Sequence, residues 1–291
     1  MEMKPGWLMA AALVWAFELP VQAQHRLQVT VTPGYSTENF HWSIAGNSAG
    51  LQPNVYSELI WRKIQRIGVG VTGSWYFHKN FLLHIRFAKN YTIAGKATDT
   101  DYREDNRKSP SYNGSFNSGK GGSTLLEAAP GYAIDIGKTG RLTLCPGYTF
   151  NRQAFYLLPA DAFTPAGLKS TYTAIWKGLM FSTSFRKNFT DKIYMEPAFR
   201  YYQVKYNAAA NWNLIPQFRH PLSFVHTANA FGVAPSLKLG YSRVYLHLQY
   251  SYLATGRGTG HLYLAAGGDQ VTQLNGAAQS TLRLAIGVIA W

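Results

Sequence analysis

Residues 243–252 read Arg-Val-Tyr-Leu-His-Leu-Gln-Tyr-Ser-Tyr. In this stretch Val244, Leu246, Leu248, Tyr250 and Tyr252 alternate with Arg243, Tyr245, His247, Gln249 and Ser251. Successive side chains of a strand point to opposite faces, so one face is apolar and the other largely polar. The same period of two recurs in 81–88, 141–150 and 192–201. Phe81, Leu83, Ile85 and Phe87 alternate with Leu82, His84, Arg86 and Ala88. Ile193, Met195, Pro197, Phe199 and Tyr201 alternate with Lys192, Tyr194, Glu196, Ala198 and Arg200. A soluble sandwich turns the polar face of such a strand to water, whereas a membrane barrel turns the apolar face to lipid. The alternation alone does not choose between them.

The connections and the composition do choose. Short turns near 77–80, 137–140, 187–191 and 239–242 alternate with long polar connections near 46–53, 101–119, 158–168, 207–221 and 258–276. Four short and five long connections join ten strands, which fits the even strand number and unequal loops of outer-membrane barrels. Charged residues make up 14 % of the chain, against roughly 25 % in ordinary soluble domains. Aromatics reach 15 %, and 28 Lys and Arg face 14 Asp and Glu, a formal charge of +14. An aromatic-rich, charge-poor, basic chain suits an anionic membrane surface. The fold class expected is all-β, a transmembrane antiparallel up-and-down barrel of ten strands. Segments of 15 or more residues exceed the 9–11 that cross a bilayer, so the barrel should protrude above it. No stretch after residue 23 is long and apolar enough for a membrane helix. In the first strand Val29, Val31, Pro33 and Tyr35 take odd positions, then Phe40, Trp42 and Ile44 take even ones. A bulge between them would keep all of these on one face.

Met1 to Ala23 reads as an export signal. Lys4 supplies the basic start, Trp7 to Phe17 an apolar run, and Val21-Gln22-Ala23 a small-residue cleavage site. The organisation expected is therefore a signal at 1–23 and a barrel at 24–291, in the outer membrane of a Gram-negative-type bacterium. Export excludes nucleic acid as the partner. The lone Cys145 excludes a disulfide framework, and the histidines show no metal-ligand spacing, so neither a metal nor a cofactor is expected. Trp291 ends the apolar segment 282–291 with an aromatic residue.

One segment carries a family resemblance. Tyr56-Ser57-Glu58-Leu59-Ile60-Trp61 is followed by Gly95-Lys96-Ala97-Thr98-Asp99-Thr100-Asp101-Tyr102. This is similar to the omptins, outer-membrane endoproteases that carry Ser-x-Leu-x-Trp in the second strand and Gly-x-x-x-Asp-x-Asp-Trp entering the second loop. The resemblance implies a ten-stranded, vase-shaped barrel. It implies that Asp99 and Asp101 hold a water, that an Asp-His pair faces them, and that peptides are cut at basic residues. It also implies that Glu38 receives a basic substrate side chain. On the outer wall it implies lipopolysaccharide contact through Tyr148, Arg152, Arg186 and Arg243, with lipopolysaccharide as a bound lipid. An aromatic end such as Trp291 is implied to be read by the barrel-assembly machinery.

The residues themselves agree in part. Asp99 and Asp101, two apart on an extended segment, share a side, and close carboxylates raise each other's proton affinity. They share odd numbering with Phe81–Phe87, so they face inward only if a bulge follows Lys89. The opposite half departs from the pattern. Asn211 and Asn213 stand where the Asp and His belong, and no aspartate occurs between Asp191 and Asp269. Asparagine is no general base. His220 is a substitute base without an acidic neighbour, and His261 with Asp269 a second substitute pair. The primary expectation is a barrel with a degenerate protease centre, acting in surface binding or as a structural element, with outer-membrane lipid and a peptide or protein ligand at the extracellular loops as partners. The alternatives are an active endopeptidase cleaving at basic residues and a small porin or lipid-handling barrel.

Overall fold

The computed structural model describes residues 26–290; the export signal expected at 1–23 and Trp291 lie outside them. The strands are β1 (Arg26–Ile44), β2 (Ser57–Tyr76), β3 (Phe81–Glu104), β4 (Lys108–Asn117), β5 (Gly121–Ile136) and β6 (Gly140–Leu157). They continue as β7 (Ser170–Asn188), β8 (Ile193–Asn211), β9 (Phe224–Tyr241), β10 (Val244–Thr255), β11 (Gly258–Leu262) and β12 (Gln270–Ile289). All except β4 and β11 form an antiparallel wall of ten, and β1 pairs with β12 to close it. Closure leaves no sheet edge in lipid, where an unpaired backbone group costs several kcal/mol. Both described chain ends and the turns at 77–80, 137–139, 189–192 and 242–243 share one end, the periplasmic one by the outer-membrane pattern. Loops 45–56, 105–120, 158–169, 212–223 and 256–269 share the other, with β4 and β11 extending the wall there.

The outward face is the apolar one. Ile67, Val69, Val71, Ile85, Leu284 and Ile286 are exposed in a continuous belt. Trp75, Phe81, Tyr132 and Tyr241 rim it below, and Tyr35, Tyr91, Tyr148, Tyr201 and Tyr252 above. Such a patch is stable only against lipid, and aromatic girdles mark its two interfaces. β3 has 24 residues, and Tyr91 lies level with Ile67 and Tyr35, so the last dozen residues of β3 stand above the membrane.

The first-strand expectation is corrected. β1 keeps one parity throughout: Thr32, Ser36, Glu38, Phe40, Trp42 and Ile44 all point inward. The apolar even residues do not turn to lipid; they fill the interior above the membrane. The bulge is on β2, where Arg62 and Lys63 oppose Asn39. Lys63 takes φ 51° there, and its N–H donates to Asn39 Oδ1 at 2.9 Å.

The interior is layered. In the extracellular part Phe40, Trp42, Trp61, Phe155, Tyr172 and Phe224 pack with ring centroids 4.8–6.3 Å apart. Below them Arg66 Nη1 meets Glu38 Oε2 at 2.6 Å, Gln153 Nε2 donates to Glu38 Oε1, and Trp176 Nε1 donates to Gln153. Lower still, Glu127 takes Arg86 at 3.4 Å, Arg200 at 3.8 Å and the Tyr202 hydroxyl at 3.0 Å. Buried charges persist when paired, and the carboxylates of both clusters are paired with arginines and hydrogen-bonded to a neighbouring side chain. Side chains of these layers occupy most of the interior, leaving two spaces of about 140 and 80 Å³ in its lower part.

Candidate functional site

The aspartates reach the inner face by the bulge their parity requires. Arg66 pairs with Thr92 and Gln65 with Ala94, which leaves Ile93 unopposed and flips the alternation. Beyond it Ala97 and Asp99 are buried. Asp99 lies opposite Leu59 of β2 and Gly114 of β4, with Tyr112 and Phe116 folded over that glycine. Burial, reinforced by the Asp101 carboxylate, pushes Asp99 up to about 8, and its Oδ1 has no hydrogen-bond partner. Asp101 is raised by burial, opposed by a hydrogen bond with Ser57. At neutral pH Asp99 is thus a neutral acid in an apolar setting.

This has a pH signature. Unfolded, Asp99 loses its proton near 3.8; folded, near 8. Between these values the folded state holds the extra proton, so stability contributed by the neutral form is complete below 3.8 and lost as pH rises towards 8. Asp99→Asn is expected to equal the wild type at pH 4 and to exceed it by more than about 1 kcal/mol at pH 8.5, measured by denaturant titration in micelles. Equal stability at both pH values would contradict the burial described.

The facing half is occupied differently. His220 is exposed in the loop between β8 and β9, and its Nδ1 lies 2.9 Å from Asn211 Oδ1. The amide thus supplies the orienting contact, without the charge that would stabilise an imidazolium. Asn211 stands at an odd position of β8, whereas Tyr206, Ala208, Ala210 and Trp212 are the buried, inward ones. Asn213 holds loop 158–169: its Oδ1 accepts from Lys169 N and Ser170 Oγ, and its Nδ2 donates to Gly167 O. Asp269 accepts two hydrogen bonds from Arg219 at 2.7 and 2.9 Å, so it does not pair with His261. Asp99 and Asp101 on β3 and His220 beside β8 are separated by β5, β6 and β7 on the shorter way round. No hydrogen bond joins them among the described residues.

Three other expected roles are corrected. Glu38 is 2 % exposed and its carboxylate is already taken by Arg66, Gln153 and Thr281, so it offers nothing to a substrate. Arg186 points into the lumen, its guanidinium 3.7 Å from the centroid of the Tyr194 ring. Arg243 lies in the short turn between β9 and β10, at the periplasmic end. Neither can reach outer-leaflet lipid.

Tyr148 and Arg152 do face outward on β6. Beside them stand cations that the sequence reading missed. Lys177 opposes Phe150, and Lys205 directly opposes Lys177, both exposed. Lys89 donates to Thr124, the residue paired with Arg152. Register was the missing signal, because these residues are far apart in sequence and level only in the closed wall. A buried cluster was missed too: Tyr172 Oη lies 2.5 Å from Tyr206 Oη and 2.9 Å from His226 Nδ1. Burial holds the His226 imidazole neutral, with its pKa lowered to about 3. No group of side chains suited to a metal ion occurs among the described residues.

Known proteins place this geometry. The fold is similar to that of the outer membrane protease OmpT from Escherichia coli, with a TM-score of 0.63 and 12 % identity over 94 % of this chain and 99 % of that one. The outer membrane protein OprG from Pseudomonas aeruginosa follows with a TM-score of 0.39 and 9 % identity, over 93 % and 99 %. No curated protein matches in sequence. At 12 % identity the likeness to OmpT speaks for the fold alone. A family model does match, over residues 30–281, and its description is "Protochlamydia outer membrane protein". A closed ten-strand wall with an apolar belt, matched to that model over most of its length, is an outer-membrane barrel, and the chain belongs to the Protochlamydia outer membrane protein (Pom) family.

Proposed function

We propose that this barrel works without catalysis, as a surface-binding or structural element anchored to the lipopolysaccharide of the outer leaflet. The observation that carries the reading is the wiring of the rim. The imidazole available to activate water leans on an amide, Asn211, and the carboxyl across from it, Asp99, is buried and protonated. An omptin-type endopeptidase needs a base held by a carboxylate, and the layered lumen argues equally against a porin. Ligands would meet the extracellular loops, where Arg107 ties the turn between β3 and β4 to Glu58 of β2 at 2.6 Å and Asn54 binds Asp105 and Asn106. Export through the 1–23 signal and insertion by the barrel-assembly machinery belong to the same reading.

The lipid contact rests on Lys177 and Lys205. Like charges directly opposed across strands repel. A phosphate between them removes that repulsion, and Arg152 with Tyr148 would extend the site along β6. In micelles, added lipopolysaccharide is expected to raise the unfolding midpoint of the wild type, with the rise at least halved in a Lys177→Gln/Lys205→Gln variant. An unchanged rise in that variant would remove the lipid site from these residues.

A further inference from the structure

We propose that the periplasmic half of the lumen is a binding site for a small oxyanion of the phosphate class. A cavity of about 140 Å³ lies there, reaching Tyr76, Tyr194 and Ile289 at the periplasmic ends of β2, β8 and β12. Six cations line it: Arg86, Arg141, Arg186, Arg200, Lys238 and Arg283.

Three carboxylates answer these six charges. Glu127 serves Arg86 and Arg200, Glu196 holds Lys238 at 2.7 Å, and Asp135 lies 3.5 Å from Arg141. Arg186 and Arg283 form no salt bridge among the described residues, and the carboxylate whose charge Arg186 does feel, Glu196, is already held by Lys238. Arg186 donates to Asn188 Oδ1 and stacks on Tyr194; Arg283 donates to Asn90 Oδ1 and the Thr32 carbonyl. The walls therefore carry a surplus of positive charge in a desolvated space, where an anion is attracted far more strongly than in water.

Hydrogen bonding points the same way. Arg141 Nε, Arg200 Nη1 and His247 Nε2 are buried without a hydrogen-bond partner, and all three residues line this cavity. Buried polar atoms are nearly always paired, so the orphaned guanidinium N–H groups of Arg141 and Arg200 on one cavity mark a place where acceptors belong, and His247 Nε2 joins them as the tautomer protonated there. A tetrahedral oxyanion brings four acceptor oxygens and suits the fork of a guanidinium. A second, smaller space adjoins it on the surface side. Arg86 and Arg283 also line this space of about 80 Å³, Arg86 reaches across to Gln249 at 3.3 Å, and the Glu38–Arg66 layer follows. The site is reached from the periplasmic ends of β2, β8 and β12.

The test is calorimetric titration of the micelle-refolded barrel with sodium phosphate, ionic strength being held constant with sodium chloride. One saturable phosphate per barrel is expected. An Arg186→Gln/Arg283→Gln variant should weaken it by about tenfold or more. Neither substitution strands a buried carboxylate, and gel mobility with and without boiling shows whether the barrel has formed. Arg62→Gln, exposed on β2 above the membrane, should leave phosphate binding unchanged. If the double variant does not fold, a phosphate-dependent rise in the wild-type unfolding midpoint that chloride does not reproduce serves as the readout. Absence of binding at constant ionic strength, equal binding by the double variant, or loss in Arg62→Gln would overturn the proposal. Uptake of phosphorylated lipid vesicles without free phosphate binding would also overturn it, by moving the ligand to the outer wall.

Discussion

Glu127→Ala is expected to destabilise the barrel by roughly 3–5 kcal/mol, the usual effect of breaking a buried ion pair from one side. Glu127 is fully buried and opposes Arg86 directly across β3 and β5. Its carboxylate also takes Arg200 and the Tyr202 hydroxyl. Without it two guanidiniums face each other among further cations, with one phenol stranded. The comparison is Glu58→Ala. Glu58 pairs with Arg107 at 2.6 Å, shorter than either contact of Glu127, yet the Arg107 side chain is 51 % exposed. Exposed pairs contribute about 0–1 kcal/mol, so burial rather than distance decides the order. Glu127→Gln should fall between, because the amide keeps the Tyr202 contact and loses the charge. Denaturant titration in micelles checks all three, and a Glu127→Ala barrel as stable as Glu58→Ala would contradict the layered lumen.

Much of the architecture was legible because it depends on local alternation. Strands such as 243–252 declare a lipid face through every second residue, and short and long connections count the hairpins. The first strand shows the limit. Phe40, Trp42 and Ile44 are as apolar as any lipid-facing run, and sequence alone does not reveal that the wall has already left the membrane there. Once above it, apolar residues turn inward to build a core. The bulge at Ile93 was legible in the parity conflict between Phe87 and Asp99, because only a shift could bring both to their proper faces. The outer-wall cations were not. Lys177 and Lys205 become neighbours only when β7 and β8 pair, and Arg186 and Arg243 were assigned outward without the register that sends one into the lumen and the other to the wrong end. The contact between His220 and Asn211 is likewise invisible in the sequence, where Asn211 marks only the position of an absent acid.

The second large effect concerns activity. A positioned general base contributes about 10²–10⁴-fold to a proton transfer, and most of that depends on a partner that stabilises the charged imidazole. Asn211 orients His220 but brings no charge, while Asp99 keeps its proton in an apolar setting until about pH 8. The aromatic layer of Trp42, Tyr172 and Phe224 fills the space beneath the rim. The direct measurement is hydrolysis of a fluorogenic peptide with paired arginines by the refolded barrel, with lipopolysaccharide present, at pH 7. No turnover above that of buffer is expected, for the wild type and for Asp99→Ala, Asp101→Ala and His220→Ala alike. Wild-type turnover that disappears in Asp99→Ala and Asp101→Ala would contradict it.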